Sequence, residues 1–307
     1  MSVILYILIV LLWGLSWIAI KWQQGDVAIL VSIFYRFALA GIILFIAGKC
    51  LNKLQAVNFR QHKFLLLQGL CLFSFNFIAF YYSTHYIASG LTAVMMACTP
   101  IFNALHGRLF YQTRTNGYFW LGMLVGLTGI SLLFIDEFKT ASLSHDLFIG
   151  IGLSLLGTWC FSMGNMISIR HTRSQLQPYT ATTYAMFYGS MALLIMIVLQ
   201  GIPFTLDVSF LYLGSLFYLT VPASVLGFTL YLVLVNRIGA HNAAYVLLLT
   251  PMIALMVSSF FEGYQWTGYS TLGLLLIVVG NLISQFKMTY FTRIKCWFIG
   301  KQMGAGF

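Results

Sequence analysis

Residues 87–132 recur, without a gap, at 238–283, about half a chain length downstream. Thr99-Pro100 falls on Thr250-Pro251, Phe110 on Phe261, Gly117-Tyr118 on Gly268-Tyr269, Leu121-Gly122 on Leu272-Gly273, and Gly129 on Gly280. Two apolar segments share residues by composition alone, so the glycines and the Thr-Pro pair carry the match. A period this long marks a duplicated unit rather than a solenoid of short repeats.

The medium in which that unit folds follows from its charge. Of 307 residues, 60% are hydrophobic and 7% charged, against about a quarter charged in an ordinary soluble domain. So few charges cannot cover so large an apolar core, and the chain reads as an integral membrane protein. A spanning helix takes about 20 apolar residues. That ruler places ten, near 3–20, 27–48, 64–84, 88–107, 117–135, 148–169, 179–200, 209–235, 240–261 and 268–286. Membrane β-strands alternate polar and apolar residues, which runs such as 31–47 and 272–279 do not. The expected fold is therefore an all-α membrane protein with ten transmembrane helices. The first run has no Lys or Arg before it and no small-residue cleavage site after it, and reads as a retained helix rather than a signal peptide.

Basic residues collect on the cytoplasmic side of membrane proteins. With both termini cytoplasmic, the inner loops hold Lys49, Lys53, Arg60, Lys63, Arg108, Arg114, Arg170, Arg173 and Arg237 together with the basic tail. Only Lys21 and Lys139 fall outside, and Arg36 lies within a span. Asp26, Asp136, Glu137, Asp146, Asp207 and Glu262 all sit on or beside outer loops. Each repeat holds five spans, an odd number, so the second must enter the membrane inverted. The units are 1–139 and 140–286, followed by a basic, aromatic segment, 287–307, expected to lie on the inner leaflet. Two inverted five-helix repeats are the architecture of secondary carriers that alternate access to a midplane site.

The net charge of +10 is scattered singly and forms no stripe, so nucleic acid is not an expected partner. Five cysteines without a Cys-x-x-Cys spacing point to neither a disulfide framework nor a metal site, and no cofactor is expected. His-Glu-x-x-His, Gly-x-Ser-x-Gly and paired membrane carboxylates are absent from the sequence, so an enzyme is not expected.

Leu11-Leu12-Trp13-Gly14-Leu15-Ser16-Trp17 followed by Lys21, and Tyr35-Arg36-Phe37-Ala38-Leu39-Ala40 in the second span, resemble the first repeat of an EamA-type member of the drug/metabolite transporter superfamily. The Pro-centred fourth and ninth spans and the glycines of the fifth and tenth match as well. Phe261-Glu262 before Trp266-Thr267-Gly268 resembles the family's acidic turn, where the first repeat has Tyr111 instead. The resemblance implies a ten-helix carrier in a bacterial inner membrane. Spans one to four and six to nine surround a central cavity, and spans five and ten lie to the side. Bacterial relatives mostly export amino acids or other small metabolites.

Arg36 is the sharpest candidate for substrate contact. It sits near the midplane, where a guanidinium costs about 2.5 kcal/mol or more, with no acid at its depth, and suits a carboxylate or phosphate clamp. The structural alternatives are an arginine bonded to backbone carbonyls at a helix break and one that simply holds the repeats together. In the fourth span Thr92, Met96, Thr99, Asn103 and His106 recur at steps of three and four. They read as a cavity face, or as small polar residues that mediate packing; His106 reads as a solvated histidine near the inner end. Pro100 frees the Met96 carbonyl, and Pro251 is its counterpart. Trp13, Ser16 and Trp17 in the first span and Trp159, Ser162 and Asn165 in the sixth form matching aromatic and polar faces. Tyr184 and Tyr188 run along the seventh span. Tyr82 and His85 at the outer side and Asn242 and Tyr245 at the inner side are candidate gates, with Pro100 and Pro251. Gly122-x-x-x-Gly126 offers close packing or a homodimer through spans five and ten.

The expected function is a secondary carrier that moves a small organic metabolite, an amino acid or related compound, outward by alternating access. The alternative within carriers is an organic-phosphate or nucleotide-sugar antiporter, which requires two or more buried basic residues. A receptor or scaffold would leave the inverted repeat unexplained.

Overall fold

Long apolar runs in lipid must satisfy their own backbone groups, and helices do so within each segment. The computed structural model describes residues 2–113, 115–135, 145–243 and 246–285, and every regular element among them is helical. In chain order these are α1 (Ser2–Gly14), α2 (Ser16–Trp22), α3 (Ile29–Cys50), α4 (Phe59–Leu70), α5 (Asn76–Tyr86), α6 (Ser89–Met95) and α7 (Thr99–Tyr111). There follow α8 (Gly117–Leu133), α9 (His145–Arg173), α10 (Pro178–Leu199), α11 (Phe210–Tyr218), α12 (Gly227–Ala243), α13 (Val246–Phe261) and α14 (Gly268–Gln285). Among the described residues, six continuous stretches are long and apolar enough to cross a membrane: Val3–Trp22, Ile29–Cys50, Phe59–Tyr86, His145–Arg173, Pro178–Leu199 and Phe210–Leu234. Gly117–Leu133, Leu249–Phe261 and Gly268–Ser284 are apolar but shorter. The chain is an integral, multi-pass membrane protein.

Several stretches are interrupted, each for a local reason. Between α1 and α2 the Ser16 hydroxyl bonds back to the Trp13 carbonyl at 2.7 Å, competing with the helix ladder. Met96–Cys98, just before Pro100, tightens to a 3-10 turn, and the Thr99 hydroxyl takes the Met96 carbonyl at 2.6 Å. Cys71–Phe75 and Leu219–Leu226 widen to π-helix. In the second, Pro222 has no N–H to give, and the Ser224 hydroxyl caps the Leu219 carbonyl at 2.8 Å. The expected inner loop at Arg237 is instead helical, because α12 continues to Ala243 with no proline or glycine pair to stop it sooner.

Packing depends on glycine at a few points of backbone contact. A Cβ on Gly122 would lie 2.3 Å from the Gly280 carbonyl oxygen, and one on Gly129 would lie 2.4 Å from that of Gly273. The number rises on one helix as it falls on the other, so α8 and α14 run antiparallel. Gly122 therefore serves close packing within the chain, the first of the two uses its motif offered. Gly69 and Gly189 bring α4 and α10 together in the same way. The main apolar core gathers Trp17, Ile33, Phe37, Phe73, Phe80 and Met186. Outward faces such as Ile42, Ile46, Leu124, Phe217 and Leu275 are exposed and apolar, as contact with lipid tails requires.

Candidate functional site

The irregular segments surround a cavity of about 480 Å³, within the range of small-molecule sites. Its wall includes Trp13, Ser16, Trp17 and Arg36 from the first two stretches, Phe73, Asn76, Phe77 and Phe80 around the first π-segment, and Met96 and Asn103. From the second half come Asn165, His171, Thr182, Ala223, Phe228, Tyr231 and Thr250. At one end the wall reaches exposed Thr172 and Pro178, which form a mouth. The opposite end is closed, since Ile20 and Trp17 are buried there and hydrogen bonds tie the segments together.

Arg36 is only 3% exposed. Its Nε donates to the Ser224 hydroxyl at 3.2 Å, and its guanidinium lies over Phe37 and Phe77, 4.9 and 4.6 Å from the ring centres. Nη1 has no partner. The arginine thus stands beside a helix irregularity but is bonded to a hydroxyl, not to loosened carbonyls. Trp13 donates its indole N–H to the Ala223 carbonyl at 3.0 Å, and its ring lies against Phe228 and Tyr231. Gly227 makes room for it, since a Cβ there would lie 2.5 Å from the indole nitrogen. Trp17 meets Phe80 edge-on.

Asn103 lines the cavity and belongs to a buried chain of polar groups. Ser162 donates to Asn103 Oδ1 at 2.7 Å and lies 2.9 Å from His106 Nδ1. His106 is 2% exposed, not solvated, because α7 runs on to Tyr111 and holds it against Trp159 on α9. Tyr111, which replaces the acid of the second repeat, donates to the Met166 carbonyl at 2.7 Å.

Other sequence candidates lie elsewhere. Thr92 is fully buried in a hydroxyl cluster with Ser83, which also bonds Ser154 at 2.6 Å, so it knits three helices and does not line the cavity. Thr99 serves the Met96 carbonyl. Trp159 is 40% exposed on the outside of α9, while Ser162 acts behind Asn103. Tyr184 and Tyr188 pack around His62, with the Tyr188 hydroxyl 2.7 Å from His62 Nδ1. Pro100 borders a small cleft against α8 and α14, and Pro251 is buried within α13. Tyr82 is exposed beside His85. Tyr245 and the side chain of Asn242 lie outside the described residues.

The closed end joins Lys21 and Glu262 to Gln23, Gln24 and Tyr81. Tyr81 donates to Gln23 Oε1 at 2.7 Å, Gln24 to the Tyr81 carbonyl at 2.9 Å, and Lys21 to the Thr84 carbonyl. The Glu262 carboxylate accepts from the Ser89 amide at 3.0 and 3.1 Å and from the Ser89 hydroxyl, joining the end of α13 to the start of α6. His85, Lys21 and Glu262 share an outer cleft of about 510 Å³. Gln68, with Nε2 2.6 Å from the Ser168 hydroxyl, and Asn76 are further cavity-lining polar groups. Each is an isolated polar residue in an apolar run, a weaker signal than a stripe. Among the described residues no three His, Cys, Asp or Glu side chains come together as a metal site.

The helices that enclose this largely apolar cavity belong to a sequence that matches a known family. The sequence profile of the EamA-like transporter family matches residues 1–135 and again 148–285. The chain belongs to the EamA-like transporter family. Protein PagO of Salmonella typhimurium is 24% identical to this EamA-like chain over 92% of it and 91% of the relative. A probable amino-acid metabolite efflux pump of Escherichia coli is 23% identical over 95% and 97% of the two chains. A solved crystal structure superposes with a TM-score of 0.64 at 14% identity, covering 92% of this chain and 96% of that one, which shows a shared fold. The EamA-like chain is accordingly a membrane transporter.

Proposed function

We propose that the chain is a secondary carrier that moves a small organic metabolite, an amino acid or related compound, outward across a bacterial inner membrane by alternating access. The observation that carries this reading is the cavity itself, which holds a buried arginine with no acidic partner among the described residues, is open at one end and is tied shut at the other. Arg36 binds the substrate carboxylate, Trp17 and the phenylalanines of the wall take its apolar part, and Asn103 and Asn165 orient it. The relative described as a probable amino-acid metabolite efflux pump supports this substrate class.

The proposed architecture is ten spans in two inverted repeats, 1–139 and 140–286, with the stretch from Ser89 to Tyr111 counted as a span. Several features support it. The family profile matches twice. The π-segments occupy corresponding places, since Cys71 aligns with Pro222 at the offset that carries Thr99 onto Thr250. The offset also converts the Gly122–Gly280 contact into the Gly273–Gly129 contact, as an internal two-fold axis requires. Arg170 and Arg173 flank the mouth while Asp26 and Glu262 lie at the closed end, so the positive-inside rule makes this the inward-open state with cytoplasmic termini.

The spans contain no Asp or Glu, so facilitated export or exchange is favoured over carboxylate-based proton antiport. In proteoliposomes preloaded with a labelled apolar amino acid or its carboxylate analogue, outward flux is expected, with counterflow when unlabelled solute is placed outside. It persists when a protonophore collapses the proton gradient. No flux of any such solute rejects the carrier reading, and complete loss with the protonophore rejects the coupling.

A further inference from the structure

An ammonium group brought into a protein cavity needs a carboxylate, a set of free carbonyls or an open aromatic face. Among the described residues, the cavity wall contains no Asp or Glu. The sequence itself has none from residue 27 to 135, from 147 to 206 or from 208 to 261. Helix breaks usually leave carbonyls for cations, but here four carbonyls beside the breaks already have donors. Ala223 O accepts from Trp13 at 3.0 Å, Met96 O from Thr99 at 2.6 Å, Leu219 O from Ser224 at 2.8 Å, and Leu12 O from Tyr218 at 2.9 Å. Of the aromatic faces, Phe37 and Phe77 are taken by Arg36 itself, and those that remain in the wall, such as Trp17, Phe80 and Phe228, attract a cation but carry no counter-charge.

Of the free groups in the wall, Gln68 Oε1 is an unpaired acceptor, and the one charged group has the opposite character. Arg36 Nη1 is buried without a partner. Asn76 and Asn103 use their side-chain oxygens inside the protein, on the Phe77 amide at 2.7 Å and the Ser162 hydroxyl at 2.7 Å, which leaves their NH₂ donors for the cavity. Donors and one fixed cation suit an anion. With a single arginine rather than two, a carboxylate fits better than a phosphomonoester of about two charges.

We propose, on the basis of the carrier reading above, that the cavity selects small carboxylates lacking a free ammonium: N-acyl or 2-oxo acid counterparts of apolar and aromatic amino acids, in preference to the zwitterions. The aromatic wall holds the body, Arg36 holds the carboxylate, and the asparagine NH₂ groups reach the acyl or keto oxygen. A zwitterion must keep water around its ammonium in a wall that offers no counter-charge.

The test compares N-acetylphenylalanine, phenylpyruvate, phenylalanine and phenethylamine on the purified full-length protein, by calorimetric binding and by counterflow in proteoliposomes. The two monoanions are expected to bind about tenfold or more tightly than phenylalanine, with phenethylamine weakest. Arg36→Gln removes the preference. Asn103→Asp, which adds a carboxylate to the wall, shifts it toward phenylalanine. Phenylalanine binding as tightly as the monoanions to the wild-type protein, while driving counterflow, overturns this selectivity and leaves the carrier reading standing. Counterflow by none of the four overturns both.

Discussion

Arg36 holds a permanent charge in a largely apolar wall, with neutral hydroxyls as its bonded partners. In the proposed site a substrate carboxylate pairs with this cation, and removing half of a buried charge pair costs about 2–5 kcal/mol. Arg36→Gln is therefore expected to elute as a monodisperse protein while losing about a hundredfold or more in affinity for a carboxylate substrate. Arg36→Lys keeps the charge but not the planar fork, and falls between the two. Binding unchanged in Arg36→Gln would remove this residue from the site. The sequence marked Arg36 clearly, because a single cation amid apolar residues needs no tertiary information to stand out. Thr92 and Asn103 looked alike in the same stripe, yet one knits three helices and the other faces the cavity.

At the scale of elements, the α8–α14 pair shows how backbone contact replaces side-chain packing. A side chain on Gly122 would drive into the Gly280 carbonyl and the Ser284 backbone, whereas a Cβ on Gly126 meets nothing within 4 Å. Gly122→Val is expected to lower the thermal midpoint in detergent through overpacking of about 1–3 kcal/mol, and Gly126→Ala to leave it nearly unchanged. Equal effects of the two would reject the antiparallel contact described. The bond from α13 to α6 is a second such device. Glu262 offers two charged oxygens to the amide and hydroxyl of Ser89 at a helix start, where negative charge is favoured. Glu262→Gln loses one acceptor and the charge, about 1 kcal/mol. Amide hydrogen exchange at residues 89–91 is expected to quicken about fivefold, and unchanged exchange would show that Glu262 does not hold this end closed. A Gly-x-x-x-Gly pattern read from sequence treats Gly122 and Gly126 alike; only the partner helix separates them.

For the whole molecule, the arrangement predicts which side sees the cavity. Thr172 lies at the mouth and Gln24 at the tied end. In a background with the exposed Cys50 replaced, a Thr172→Cys thiol is expected to react with an impermeant maleimide in inside-out vesicles and to be protected by substrate. Gln24→Cys is expected to react in right-side-out vesicles. The reverse pattern would invert the proposed topology. Hydrophobic length, the scarcity of charge, the loop cations and the Thr-Pro and glycine repeat are properties of the chain itself, and they determined the helical membrane class and the places of the apolar stretches. What only the tertiary structure decided is the rotation of each helix about its axis: that Asn103, Gln68 and Asn76 line the cavity, that Tyr184 and Tyr188 do not, and that Glu262 reaches Ser89. The physical reason is that lipid is as apolar as the protein core. A membrane helix hydrophobic all round carries no strong stripe to mark its inner face, so only the packing of its neighbours determines which polar side chains meet.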